Sequence, residues 1–209
     1  MSKIRFTEPN REILARRDSI INDLTRLVDP AGLITSTDEC RAYETDALTA
    51  YRKMPLAVVL PKTTEEVSAV LKYCPDTGVK VVPRGAGTSL AGGAIPSEDA
   101  VVLGLSKMNR VLAVNYDDRF IRVEAGVTNL SVTAVVAENG FFYAPDPSSQ
   151  LACTIGGNIA NNSGGAHCLK YGVTTNNLLG VRMVLIDGSI IDLGGDYLDS
   201  AGLDLLGLV

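Results

Sequence analysis

The sequence predicts a fold of mixed helices and strands, in which a parallel β–α–β unit gives way to a run of short antiparallel strands. The prediction rests on an amphipathic helix near the start, on an apolar run, capped helix and second apolar run between residues 56 and 82, and on a change from residue 100 onward to short strands joined by tight turns. A chain of 209 residues is long enough to bury a substantial core in one domain or two small lobes.

Over residues 10–28 the apolar positions Ile13, Leu14, Ile20, Ile21, Leu24, Leu27 and Val28 recur with helical period, and Arg16, Arg17 and Asp23 fall on the other side. The helix should end before Pro30 and pack on its own domain; a membrane-surface or partner-binding helix is the other reading of such a stripe. Residues 56–60 read as a strand closed by Pro61. Thr63-Thr64-Glu65-Glu66 supplies a capping box, with the Thr63 hydroxyl accepting the Glu66 N–H, and Val67, Val70, Leu71 and Cys74 form the buried face of the helix that follows. Asp76-Thr77-Gly78 stops it, and residues 79–82 return as a strand parallel to the first.

The antiparallel stretch is expected in residues 100–105, 110–115 and 120–124, with Tyr116-Asp117-Asp118 as a turn. A helix over 128–139 should start at Thr128 and stop at Gly140, followed by a brief strand at Phe141-Phe142-Tyr143. Residues 181–186 and 189–193 flank Asp187-Gly188, a two-residue hairpin signal.

The net charge of −5 and the lack of a Lys/Arg cluster argue against nucleic acid. No apolar run approaches the roughly 20 residues that span a bilayer, and the polar start Met1-Ser2-Lys3-Ile4-Arg5 does not read as a secretory signal. Cys40, Cys74, Cys153 and Cys168 lack zinc-ligand spacing, so they read as reduced thiols of a cytoplasmic protein. No metal site is expected.

Two glycine-rich loops carry the candidate chemistry. The first, Arg84-Gly85-Ala86-Gly87-Thr88-Ser89, leaves a strand. It lacks the third glycine of a Rossmann fingerprint and a good helix after it, which disfavours an NAD-dependent dehydrogenase, and it lacks the Gly-Lys-Ser/Thr of a P-loop. What remains is either a plain turn or a loop whose consecutive amides, with the Thr88 and Ser89 hydroxyls, wrap a pyrophosphate. Arg84 reads either as a ligand contact or as a solvated charge. The second loop holds Thr154, Gly156, Gly157, Asn158, Asn161, Asn162, Gly164 and Gly165, whose amides suit the edge of a heteroaromatic ring, against the alternative of an irregular surface loop.

Taken together, Pro83-Arg84-Gly85-Ala86-Gly87-Thr88, Pro145-Asp146-Pro147-Ser148-Ser149-Gln150 and the run from Thr154-Ile155-Gly156-Gly157-Asn158 through Gly164-Gly165-Ala166-His167-Cys168-Leu169-Lys170-Tyr171-Gly172 closely resemble the FAD-linked oxidases related to vanillyl-alcohol oxidase, and within them the glycolate oxidase branch. The resemblance runs from about Thr37 to Val209. It implies an α+β, two-lobed PCMH-type FAD-binding domain, with a parallel first lobe at about 37–107 and a mixed or antiparallel second lobe at about 108–209, preceded by a helical segment at 1–36. FAD would lie in the cleft between the lobes. Its pyrophosphate would rest on Arg84, Gly85, Ala86, Gly87, Thr88 and Ser89. Pro145, Asp146, Thr154, Gly156, Gly157, Asn158, Asn162, Gly164 and Gly165 would follow the rest of it, including the isoalloxazine.

The resemblance also implies a reaction, transfer of hydride from C2 of a small 2-hydroxy acid such as glycolate or D-lactate to flavin N5. Members of the family continue into a further Gly-rich stretch and a substrate-binding cap, so no catalytic residue is assigned here, and the chain alone is expected to bind FAD weakly or not at all and to turn nothing over. Partner subunits of an oxidase complex, with peripheral attachment to the inner face of the membrane through one of them, belong to the same expectation. Covalent attachment of FAD through His167 is disfavoured, because the glycolate oxidase branch resembles the non-covalent members. The competing reading is a cofactor-binding or scaffold subunit that contributes no chemistry.

Overall fold

A computed structural model describes residues 7–196 and 202–209. The polar leader at residues 1–5 lies outside the described residues. The chain divides into two compact units, one running up to Gly104 together with Ile186–Gly188, the other comprising Leu105–Leu185 with Ser189–Val209.

The first unit opens with α1 (Arg11–Ala15) and α2 (Arg17–Leu27), two helices where the periodicity predicts one. Asn10 caps the first through its side chain, and the chain breaks step at Arg16 before resuming. The expected stripe holds all the same, since Ile13, Ile20, Leu24 and Val28 are buried. The chain then forms β1 (Leu33–Ile34), α3 (Thr37–Cys40), β2 (Ala57–Val59), α4 (Thr64–Thr77), β3 (Lys80–Arg84) and β4 (Ala100–Gly104). Thr63 caps α4 by accepting the Glu66 N–H, and Gly78 ends it with φ of 75° in the left-handed region. Glu66 completes the start by accepting the Lys62 N–H at 2.6 Å and the Asp29 N–H at 3.2 Å, tying the helix to the segment before it.

The sheet runs β1-β2-β4-β3. The expected parallel pair β2 and β3 is not adjacent, because β4 lies between them and pairs in parallel with both. This corrects the assignment of residues 100–105 to the antiparallel stretch. The reason is burial on both faces: every residue of β4 is buried, as its unbroken Ala-Val-Val-Leu-Gly run allows, and central parallel strands carry such runs. Val58 and Val102 pack with Cys40 and Leu60, against Ile34, Tyr43 and Met54.

The buried Asp99 at the head of β4 accepts from Lys80 Nζ at 2.8 Å, Ser97 Oγ at 2.6 Å and the Asn10 N–H at 2.9 Å. Burial alone would raise its carboxyl pKa, but these donors outweigh it and hold the group at about 2.

The second unit contains β5 (Val111–Asn115), β6 (Phe120–Val123), α5 (Asn129–Val136), α6 (Ile155–Ala160), α7 (Cys168–Tyr171), β7 (Gly180–Val184) and β8 (Ile190–Gly194). β5 pairs with β6 and β7 with β8, both antiparallel. Thr128 stands at the N-cap of α5 without a side-chain bond to the backbone, its hydroxyl meeting that of Ser131 instead, and Gly140 ends the following turn. Phe141-Phe142-Tyr143 forms no strand. The Tyr143 N–H goes to Thr133 Oγ1, so the segment is held by a side chain rather than a ladder. The last hairpin is longer than its Asp-Gly signal suggests: Leu185 N–H closes onto the Ser189 carbonyl, with Gly188 at φ 84°. The core of this unit is Val127, Val132 and Ile155, packed by Ile121, Val123, Tyr143 and Ile159. Among the described residues, no helix is long and apolar enough to cross a membrane.

Candidate cofactor site

The first glycine loop leaves the end of β3, and no helix intervenes before β4. A Rossmann site is therefore absent, since it needs a helix N-terminus at this turn. Two backbone carbonyls of the loop, those of Gly87 and Ser89, both accept from the Ala47 N–H, at 3.0 and 3.2 Å. The N–H groups of Ala86, Gly87, Thr88, Ser89 and Leu90 donate to no acceptor among the described residues. A run of consecutive open amides concentrates partial positive charge, which is how an acidic protein meets an anion without lysine or arginine.

Arg84 is neither a solvated charge nor a free arm. It is 8% exposed, its Nη1 donates to the carbonyls of Thr45 at 2.8 Å and Ala94 at 3.4 Å, and its guanidinium lies 5.6 Å from the Tyr43 ring centroid. Burial lowers its pKa, opposed by the nearby Tyr43 and Asp46. Gly87 passes directly over this group, at φ 70°, and a Cβ there would fall onto the guanidinium. Thr88 and Ser89 are half-buried, and the Ser89 hydroxyl accepts the Ala91 N–H at 3.3 Å. Thr45, Asp46 and Ala47, which back the loop, carry no sequence signal, because they lie about 40 residues away and act largely through main-chain atoms.

The second segment is built differently. Thr154 is buried and caps α6, its hydroxyl accepting the Gly157 N–H at 3.3 Å. The loop expected from Gly156-Gly157-Asn158 is thus a helix. Its amides are spent: Ile155 N–H goes to the Val127 carbonyl, Gly156 N–H to Ala125, Asn158 N–H to Thr154, Asn161 N–H to Gly157 and Ser163 N–H to Asn158.

The amide side chains are engaged as well, that of Asn158 at both ends and those of Asn161 and Asn162 at one end each. Asn158, 2% exposed, accepts from Asn129 Nδ2 at 3.0 Å and donates to Cys153 Sγ at 3.2 Å, and Asn129 also donates to the Pro145 carbonyl. Asn162, at φ 43°, accepts the Thr175 N–H, and Asn161 Nδ2 donates to Gly157. Pro145 and Asp146 come together with this network and with Gly165, where a Cβ would collide with the Asp146 carbonyl. At Gly164 a Cβ would sit 2.8 Å from Val173 Cγ1. In this second segment the N–H groups of Gly164, Gly165 and Ala166 form the run of consecutive amides with no acceptor among the described residues.

Asp146 accepts from the His167 N–H at 3.1 Å and from His167 Nδ1 at 2.6 Å. The backbone donor, then the ring, hold its carboxyl below the usual range. His167 therefore has its local partner in Asp146, with the Tyr171 ring 6.5 Å away.

The sequence pattern of the FAD binding domain family matches residues 55–194, which is most of the chain and includes both glycine segments. The chain belongs to the FAD-binding domain family. FAD is its cofactor, and the family's members are FAD-dependent oxidoreductases. The chain is 48% identical over 192 residues to the glycolate oxidase subunit GlcD of Escherichia coli K12, covering 92% of this chain and 38% of that one. It is 39% identical over 193 residues to the D-lactate dehydrogenase of Archaeoglobus fulgidus, covering 91% of this chain and 42% of that one. The chain thus spans well under half the length of these relatives. A solved alkyldihydroxyacetonephosphate synthase superposes with a TM-score of 0.76 at 20% identity, over 98% of this chain and 38% of that one, and shares the α+β, two-lobed PCMH-type fold.

Proposed function

We propose that this chain is the FAD-binding portion of a 2-hydroxy-acid oxidoreductase acting on glycolate or D-lactate. The observation that carries the reading is the run of open amides at residues 86–90, backed by carbonyls that are already engaged. Those amides, with the Thr88 hydroxyl, would hold the diphosphate of FAD. The group fits the donor set: a diphosphate presents acceptors only, and residues 86–90 offer donors without a fixed cation. When bound, FAD supplies a two-electron acceptor that takes the C2 hydride of the substrate at N5.

In the same proposal Arg84 shapes the loop from behind. The second segment follows the remainder of FAD through Gly164, Gly165 and the exposed face of Asn162, while Pro145, Asp146, Thr154, Gly156, Gly157 and Asn158 give it shape. The E. coli relative is named as a subunit, which supports partner subunits here too. The free cysteines, three of them buried, support a cytoplasmic setting, with any membrane association made through a partner. Substrate capture is proposed to need the portion of the relatives that this chain does not span, so these residues alone turn over no 2-hydroxy acid.

The test is a titration of the purified protein with FAD, followed by flavin absorbance and fluorescence, with inorganic pyrophosphate as competitor. Weak but saturable binding that pyrophosphate weakens further is the expected result. Binding indifferent to pyrophosphate would overturn the assignment of residues 86–90, and reduction of bound flavin by glycolate or D-lactate under anaerobic conditions would overturn the inactivity of the chain alone.

A further inference from the structure

The amides of residues 86–90 are open because the carbonyl side of the loop is tied down, and the ties converge on two buried ionic side chains. Asp46 is 3% exposed and Arg84 8%. Arg84 clamps Thr45 and Ala94, which lie before and after the loop, through their carbonyls. The Asp46 carboxylate accepts the Leu48 N–H at 3.1 Å on one oxygen and the Gly92 N–H at 2.9 Å on the other. Between these two side chains, Ala47 N–H holds the carbonyls of Gly87 and Ser89. Both oxygens of one side chain and the guanidinium of the other are thus occupied by main-chain groups of the loop and its backing.

We infer that Asp46 and Arg84 are positioning residues: they fix the carbonyl face of the first glycine loop against residues 45–47, and so hold its amides ready for a diphosphate that neither side chain touches. The inference rests on the diphosphate reading above and deepens it. Their opposite charges offset one another behind the loop, so the attraction for an anion comes from the amide dipoles and depends on the loop keeping its shape. Lysine in place of Arg84 keeps the charge but loses the planar guanidinium, whose Nη1 donates to both carbonyls and over whose face Gly87 passes. Asparagine in place of Asp46 sets an NH2 group against one of two N–H donors.

The experiment compares the parent with Arg84→Lys and Asp46→Asn in two measurements. Amide hydrogen exchange reads whether the loop is held, at Ala47 and Gly92, and FAD titration reads whether the loop is competent. Exchange at Val58 and Val102 in the sheet reports that each variant is folded. The expected result is exchange at Ala47 and Gly92 faster by about tenfold or more in both variants, sheet exchange unchanged, and FAD affinity lower by about tenfold or more. Parent-like FAD affinity in Arg84→Lys, with or without faster exchange, would overturn the positioning role, because retained charge alone would then suffice. Unchanged exchange at Ala47 and Gly92 would overturn the clamp itself. If the parent takes up no FAD, the diphosphate reading fails by itself, and the exchange rates still decide whether the two side chains hold the loop.

Discussion

The two glycine-rich segments have similar compositions and opposite hydrogen-bonding economies. Around Gly85 and Gly87 the backbone engages the carbonyls of Gly87 and Ser89 and leaves five successive N–H groups without a described acceptor. Around Gly156 and Gly157 nearly every N–H is consumed by a short helix and its neighbours, and the buried Asn158 is consumed by Asn129 and Cys153. The glycines also serve different ends. Gly87 lets the chain pass over a buried guanidinium at positive φ, whereas Gly165 lets one backbone lie against another, where a Cβ would meet the Asp146 carbonyl. Glycine and asparagine together therefore mark close approach of main chain, and the fate of the N–H groups separates the proposed binding loop from the packed segment.

The largest effect expected from this contrast is at Gly165. Gly165→Ala forces Cβ onto main-chain atoms that cannot rotate away, so it should destabilise the protein by about 3 kcal/mol, whereas Gly93→Ala, where nothing lies within 4 Å of the added carbon, should stay within about 0.5 kcal/mol. Thermal and urea unfolding measure both, and equal effects would erase the distinction.

Next comes Asp99, which anchors the unit of the first segment away from the loop. Its folded pKa of about 2 lies below the unfolded value, so its contribution is complete above pH about 4 and disappears as pH falls towards 2. That contribution is about 2 kcal/mol, and Asp99→Asn should remove it while leaving FAD affinity unchanged. Urea titrations between pH 2 and 6 should show the parent losing this increment and the variant lacking it throughout.

Asn158→Ala should cost about 1.5 kcal/mol by stranding the Asn129 amide and the Cys153 thiol. If Asn158 instead served mainly as a ligand group, stability would hold and FAD affinity alone would fall. The smallest change in stability belongs to Thr88→Ala, within about 0.5 kcal/mol, with FAD affinity lower by roughly severalfold from loss of one hydroxyl. A calorimetric titration and a melting curve on the same sample separate the two quantities.

Local chemistry made some of this legible in the sequence. Thr63 with Glu66, Gly78 and Gly140 are start and stop signals whose partners lie within a few residues, and each stands where its chemistry puts it. Residues 100–105 are legible as a strand but their parallel pairing is not, because it is decided by distant partners, although the unbroken apolar run is itself the mark of a strand buried on both faces. Residues 155–160 read as a loop because Gly-Gly-Asn has low helix propensity, and the helix forms there through the Thr154 cap and the burial of Ile155 and Asn158. Arg84 presented a choice between ligand and solvent, and its buried position depends on carbonyls 39 and 10 residues away. The FAD family itself was legible because its motifs are joint and spread over the chain, not because either glycine loop is distinctive alone.

The most direct test of the central claim, that the first segment binds through open amides and the second is packed, is a residue-resolved NMR titration of the labelled protein with inorganic pyrophosphate. The account predicts saturable amide shifts at Ala86, Gly87, Thr88, Ser89 and Leu90, with the amides of Ile155, Gly156, Asn158 and Ser163 unmoved. Shifts confined to the second group, or none at residues 86–90 at saturating pyrophosphate, would contradict it.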